Sequence, residues 1–171
     1  MKLSLLVVVC ASILTTGTVV RADEPVTINV TGTIVASPCT IDPQSITKNI
    51  SLGDDIQTSD LVTAGSQSQT VTADIILTKC PAGTSSVTAT FHGTADSTDP
   101  TKLYTNTGTA ENVAVGLEGD SAQGLGDGQT YTLAITSGVD PDFKVSAYAY
   151  SLGDVTPGTI NSVVTVGFAY N

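Results

Sequence analysis

Apolar and polar residues alternate with a period of two in one short stretch of this chain after another, and no stretch sustains the 3.6-residue rhythm of a helix. Val26, Ile28, Val30, Gly32 and Ile34 open the series. Val71, Ala73, Ile75 and Leu77 share one face of a strand that leads into Cys80. Val87, Ala89 and Phe91 form a further set, as do Val113, Val115 and Leu117, then Tyr131, Leu133 and Ile135, then Phe143, Val145, Ala147 and Ala149. The last strand places Val164, Val166, Phe168 and Tyr170 on one side. Between them stand turn signals: Cys80-Pro81-Ala82-Gly83, Asp99-Pro100, Gly124 to Gly128, Asp140-Pro141-Asp142 and Thr156-Pro157-Gly158. Many short strands at this spacing predict an all-β sandwich of two sheets, undivided by a linker and free of internal repeats. A short helical turn is expected near Asp54, Asp55 and Asp60.

The two ends of the pattern do not match. The alternation from Val26 to Ile34 makes an arm almost at the start, and Ser162 to Asn171 is an apolar strand that runs to the last residue. An all-β domain that stops on such a strand presents an open edge, which soluble proteins normally blunt. A spare strand and an unfinished sheet in one chain predict subunits that complete one another. The ordinary alternative is that the arm is simply the first strand of its own sandwich.

The first 22 residues read as an export signal: Lys2 is the positive start, residues 3–20 are mostly apolar, and Val20-Arg21-Ala22 ends on the small residue a signal peptidase needs. Ser4, Ser12, Thr15, Thr16, Gly17 and Thr18 dilute the run too far for a membrane anchor, and Cys10 follows Val9 where a lipobox needs a small residue. The 171 residues less these 22 leave 149, the size of one domain with a real core, carrying four lysines against sixteen acids and no arginine. That surface offers nothing to nucleic acid or anionic lipid, both of which are held by basic patches, and it suits solubility after export. Cys39 and Cys80 remain in a chain bound for an oxidising compartment, where a disulfide is the expected state.

Little in the chain suggests catalysis, a metal or a nucleotide. The one histidine, His92, ends a strand with no Ser-x-Gly elbow nearby, so no triad can be assembled around it. Asp54/Asp55 and Asp140/Asp142 are carboxylate pairs, but neither matches a calcium loop with a terminal bidentate Glu, and two thiols with a distant histidine make no zinc site. Gly124-Leu125-Gly126-Asp127-Gly128 precedes a strand, not a helix, and lacks a basic residue; it reads as a hairpin loop, not a phosphate cradle. Asn29-Val30-Thr31 and Asn49-Ile50-Ser51 fit the glycosylation pattern. Tyr104, Tyr148 and Tyr150 could line a sugar site or cover a sheet face.

Residues 26–41 (VTINVTGTIVASPCTI), residues 77–112 from LTKCPAGTSSVTATFHGTADST to GTAEN, the penultimate Tyr170, and Gly158, fourteenth from the end, resemble the pilin subunits of chaperone–usher fimbriae, most of all the minor tip adaptor of type 1 fimbriae. The resemblance implies an incomplete immunoglobulin-like sandwich, a pilin fold lacking its last strand, with residues 23–36 as an N-terminal donor-strand extension and 37–171 as the pilin domain. It implies that Val26, Ile28, Val30, Gly32 and Ile34 enter a neighbour's groove, with Gly32 above a shallow pocket. Val164, Val166, Phe168, Tyr170 and Gly158 would then form the groove and chaperone-facing strand, and Cys39 and Cys80 would be the pilin disulfide. The implied partners are neighbouring fimbrial subunits (an adhesin above, another pilin below), a periplasmic chaperone and an outer-membrane usher, with no cofactor. The implied course is export to the periplasm and then a place in a cell-surface fimbria that supports adhesion. The acidic start Asp23-Glu24-Pro25 is slightly longer than the family pattern.

Physics agrees with that mechanism. In β-augmentation main-chain hydrogen bonds supply affinity and alternate side chains fill pockets. Four large aliphatics at about 1.5–3 kcal/mol each supply on the order of 10 kcal/mol before ordering costs. The competing expectations are a major shaft pilin of the same fold and a secreted carbohydrate-binding β-sandwich. A secreted hydrolase has no nucleophile–base pair to recommend it.

Overall fold

The computed structural model describes residues 26–136 and 139–171; the export signal and the acidic start at 23–25 lie outside the described residues. Residues 26–33 and the body from Ile34 to Asn171 are separate units. In the first, Val26, Ile28 and Val30 are exposed and carry no strand pairing. The alternation expected of a strand is present there without the hydrogen-bonded ladder. Alternation assigns faces, whereas a ladder also needs a partner.

Among its described residues the body holds eight strands in two antiparallel sheets. Thr40–Ile41 (β1), Val71–Thr78 (β2), Asp142–Ser151 (β7), Val113–Glu118 (β5) and Leu103–Thr105 (β4) form the larger sheet in the order β1-β2-β7-β5-β4. Ser86–Gly93 (β3) lies between Thr130–Ala134 (β6) and Val164–Tyr170 (β8) in the smaller one. The inward faces are those the alternation marked: Ile75 and Leu77 of β2, Val87, Ala89 and Phe91 of β3, and Phe143, Val145 and Ala147 of β7 are all buried. Phe143 joins the layers, packing edge-on against Tyr131 of β6 at 5.2 Å and obliquely against Phe168 of β8 at 5.7 Å.

Cys39 and Cys80 are bonded, closing a loop across a sequence separation of 41. On the chain-entropy account such a loop stabilises the fold by about 4 kcal/mol. The bond staples the entrance of the body to the end of β2, where β1 adds only the pairs Thr40↔Thr78 and Ile41↔Leu77.

Three features depart from the sequence expectation. The four-residue helix Pro43–Ile46 (α1) was signalled by Asp42, whose carboxylate accepts the Gln44 amide at 2.9 Å, with proline at the first helical position. The helical turn expected near the acidic residues is a 3₁₀ turn at Thr58–Leu61 that includes Asp60 but not Asp54 or Asp55. The glycine-rich segment 124–128 is not a hairpin, because β5 and β6 belong to different sheets. It is a crossover laid tightly on its neighbours: a Cβ at Gly126 would strike the Pro100 carbonyl, and Leu125 is buried beneath it.

Candidate functional site: an open groove beside the last strand

Seven residues of β8 pair with β3, from Val87↔Tyr170 to Gly93↔Val164. Beyond the strand, Ser86 and Asn171 exchange both backbone hydrogen bonds, at 3.2 and 3.0 Å. That exchange fixes the phase of the ladder, since hydrogen-bonded pairs recur at every second residue of an antiparallel pair. The amides and carbonyls of Thr165, Gly167 and Ala169 therefore point to β3. Those of Val164, Val166, Phe168 and Tyr170 point to the other side, where no strand lies among the described residues.

The same four residues carry the inward side chains, and every one is only half-buried. They stop short of full burial because a groove of about 890 Å³ opens beside them. Val164, Val166 and Phe168 form one wall; Ile41, Ile50, Leu52 and Ile56 stand in the other; Phe91, Tyr104, Leu117 and Val145 are among the residues of the floor. Lys48 and Asp54 are the charged residues of the lining. Chemically the site can seat an extended apolar–polar segment, with backbone groups free on β8 and apolar surface beneath.

The predicted groove residues are not all equivalent. Tyr170 packs against the core at the far end of β8, outside the groove lining, and burial raises its phenol above the ordinary range. Gly158 lines the groove from the loop before β8 rather than from the strand. Tyr104, considered for a sugar site, is fully buried in the floor, where its hydroxyl donates to the Leu125 carbonyl at 2.7 Å. Tyr148 is also buried, and its hydroxyl donates to Glu118 at 2.6 Å. Neither ring is available to stack on a glycan. The sequence reading missed the opposite wall, residues 41–56, whose signal was the isolated apolar set Ile50, Leu52 and Ile56 in a polar stretch.

The other candidates are accounted for by local contacts. His92 lies on the surface 3.5 Å from Asp127. Asp142 and Asp74 both take the Lys144 ammonium, at 3.1 and 3.3 Å, and those bonds raise the lysine pKa. Among the described residues no three His, Cys, Asp or Glu side chains are placed to share a metal. Asn29 and Asn49 are exposed.

An unfinished two-sheet sandwich with an apolar groove along its last strand is the fold of a pilin. The fimbrial protein family model matches residues 28–171, and the chain belongs to that family. It is 37% identical to Protein FimG of Escherichia coli K12 over 92% of this chain and 91% of that protein. It is 36% identical to the S-fimbrial adhesin protein SfaS of Escherichia coli O6:K15:H31, over 84% of each chain. The rod subunit PapA of the P pilus superposes with a TM-score of 0.66 over 79% of this chain and all of that one, at 23% identity, a likeness of fold. A chaperone–usher pilus structure also matches, with a TM-score of 0.66, 91% of this chain, all of that one and 22% identity. The chain is thus a fimbrial subunit of a structural pilin family, and no helix among the described residues is long and apolar enough to cross a membrane.

Proposed function

We propose that the chain is a minor subunit of a fimbrial tip, an adaptor polymerised by donor-strand exchange. The observation that carries this reading is the coincidence, on Val164, Val166 and Phe168, of outward backbone groups with half-buried side chains over an empty groove. An extended strand laid there satisfies both at once. The exposed alternation of Val26, Ile28, Val30 and Ile34 has the chemistry such a groove takes, and on this reading it goes to the neighbour above, an adhesin. The groove, lined by Gly158, Val164, Val166 and Phe168, takes the extension of the pilin below, with Tyr170 packed on the core beyond it. A periplasmic chaperone holds the groove first, and an outer-membrane usher presides over the replacement. Binding needs no nucleotide, because the unfinished sheet itself stores the driving force.

The test is periplasmic expression of the full chain with and without the chaperone from its own source, read as yield and mass of the soluble species. Recovery only as a one-to-one chaperone complex supports the reading. A stable chaperone-free monomer overturns it. Two rivals retain a specific support. The chain is 28% identical to the probable major fimbrial subunit LpfA, which keeps a shaft position in view, and gold labelling along the fibre rather than at its tip would establish it. SfaS is an adhesin protein, which keeps direct adhesion by a secreted carbohydrate-binding sandwich in view, and a glycan array would test that directly.

A further inference from the structure

The smaller sheet has two edges, and only the one on β8 adjoins the groove. On the other, Phe91 donates to the Gln129 carbonyl at 3.0 Å and Ile135 to the Ser85 carbonyl at 2.9 Å, which sets the phase of the ladder between β3 and β6. The amides and carbonyls of Tyr131 and Leu133 therefore face β3. Those of Thr130, Thr132 and Ala134 face away from it, where no strand lies among the described residues. The edge strands of the larger sheet are blunter: β1 has two residues, and β4 has three and pairs through Tyr104 with Ala95 on its far side. β6 has five, and positions 128–136 (GQTYTLAIT) carry no charge in a chain so rich in acids. An uncharged, β-prone run without proline on an open edge is a template for pairing with another chain.

One turn is fastened to this edge. Past β5 the chain doubles back, the Gly119 amide donating to the Gln123 carbonyl at 2.8 Å and the Leu125 amide to the Leu117 carbonyl at 2.9 Å. At the tip Ser121 and Ala122 both have φ of 59°, left-handed values that residues with a side chain adopt at a cost. Two side chains hold the turn against β6. The Tyr131 hydroxyl donates to Asp120 Oδ2 at 2.9 Å, and Gln123 Nε2 donates to the outward Thr130 carbonyl at 2.6 Å. That carbonyl is one an added strand would have to engage. We infer that Gln123 is a specificity-determining residue for strand addition: it occupies the second edge of the smaller sheet, so that the subunit joins others through β8 alone. The strand it excludes is β6 of a second copy, whose uncharged sequence is one this edge meets without repulsion. Removing its amide lengthens the free run from Thr132 and Ala134 to include Thr130. This goes beyond the proposed function, which concerns the groove.

The experiment uses the chaperone-bound subunit, whose β8 edge is already covered, and follows its mass by light scattering as concentration rises. Gln123→Ala should double in mass at concentrations about tenfold below any at which the wild type does, the effect of freeing one edge acceptor. Amide exchange at Thr132 and Ala134 should be fast in the wild type and slowed in the doubled species. Adding Thr132→Pro, which removes an outward amide and none of the β3 bonds, should restore the one-to-one complex. Where that double variant does not accumulate, the exchange measurement decides. A merely structural role for Gln123 would lower the melting temperature and leave the mass unchanged. One-to-one mass at every concentration, a doubled species in which Thr132 and Ala134 still exchange freely, or doubling that persists with the proline overturns the inference. If no chaperone complex forms, the groove reading falls, and the same comparison on the soluble chain tests this inference separately.

Discussion

Strands β7 and β8 carry the same alternation and reach different ends. On β7, Phe143, Val145, Ala147 and Ala149 are buried, with β2 on one side and β5 on the other. On β8, Val164, Val166, Phe168 and Tyr170 face the same interior and stay half-buried, with β3 on one side and a groove on the other. A period of two says which side of a strand is apolar. Whether anything covers that side is decided by the neighbours, and the unequal burial of two equivalent patterns marks where the molecule is unfinished.

The comparison can be broken most severely by deletion. Removing residues 167–171 takes away the pairs of Gly167, Phe168, Ala169 and Tyr170 with β3 and the two backbone hydrogen bonds between Asn171 and Ser86. The truncated subunit should not accumulate as a chaperone complex, and recovery at the normal yield would mean that β8 is not the wall a partner uses. Next come the two phenylalanines. Phe143→Ala should cost about 3–5 kcal/mol, as for a fully enclosed ring, whereas Phe168→Ala should cost about 1–2 kcal/mol in the empty subunit, because half its surface is already wet. Urea unfolding of the oxidised chain, stripped of its chaperone and measured while it remains metastably folded, compares the two, and equal costs would show that the groove is closed.

The tyrosines sharpen the same contrast more gently. Burial, followed by the Glu118 bond, raises the Tyr148 phenol on β7 strongly, while burial alone raises Tyr170 on β8. Both favour the neutral form in the fold, so their stabilisation is complete below the ordinary tyrosine pKa of about 10. It is lost as the pH rises through the folded values, by at most about 1.4 kcal/mol per pH unit for each. Absorbance titration at 295 nm should show Tyr148 ionising only with unfolding; smooth ionisation in the folded state would contradict its enclosure. Smallest of all is the effect of Ile28→Asp with Val30→Asp on the subunit's own stability, within about 0.5 kcal/mol, since both residues are exposed. The same change should abolish its capping of a neighbour, scored by incorporation into fibres.

Which part of this was legible in the sequence follows from what each element depends on. The buried faces of β2, β3 and β7 needed only local alternation, so they could be read directly. β4 could not: Leu103–Thr105 is too short to show a period, and its burial comes from β5 and the crossover at Leu125. The crossover itself was mistaken for a hairpin because glycines announce a close approach without saying to what. The alternation of Val164, Val166, Phe168 and Tyr170 on β8 was legible because a period of two is visible in one dimension. The opposite wall was not, since residues 47–57 carry no ladder and are defined only by Ile50, Leu52 and Ile56 settling near distant strands.

The disulfide has a mechanical side. Tension applied through the N-terminal segment enters the body at Cys39 and passes across the sulfur bridge to Cys80. The covalent route through the bridge bypasses the two-residue β1 and the short helix α1. Force therefore goes to the β2–β3 turn without peeling the feeble pairing of β1. Under load the entrance of the body is held by a covalent bond rather than by two residue pairs, so long as the bridge stays oxidised.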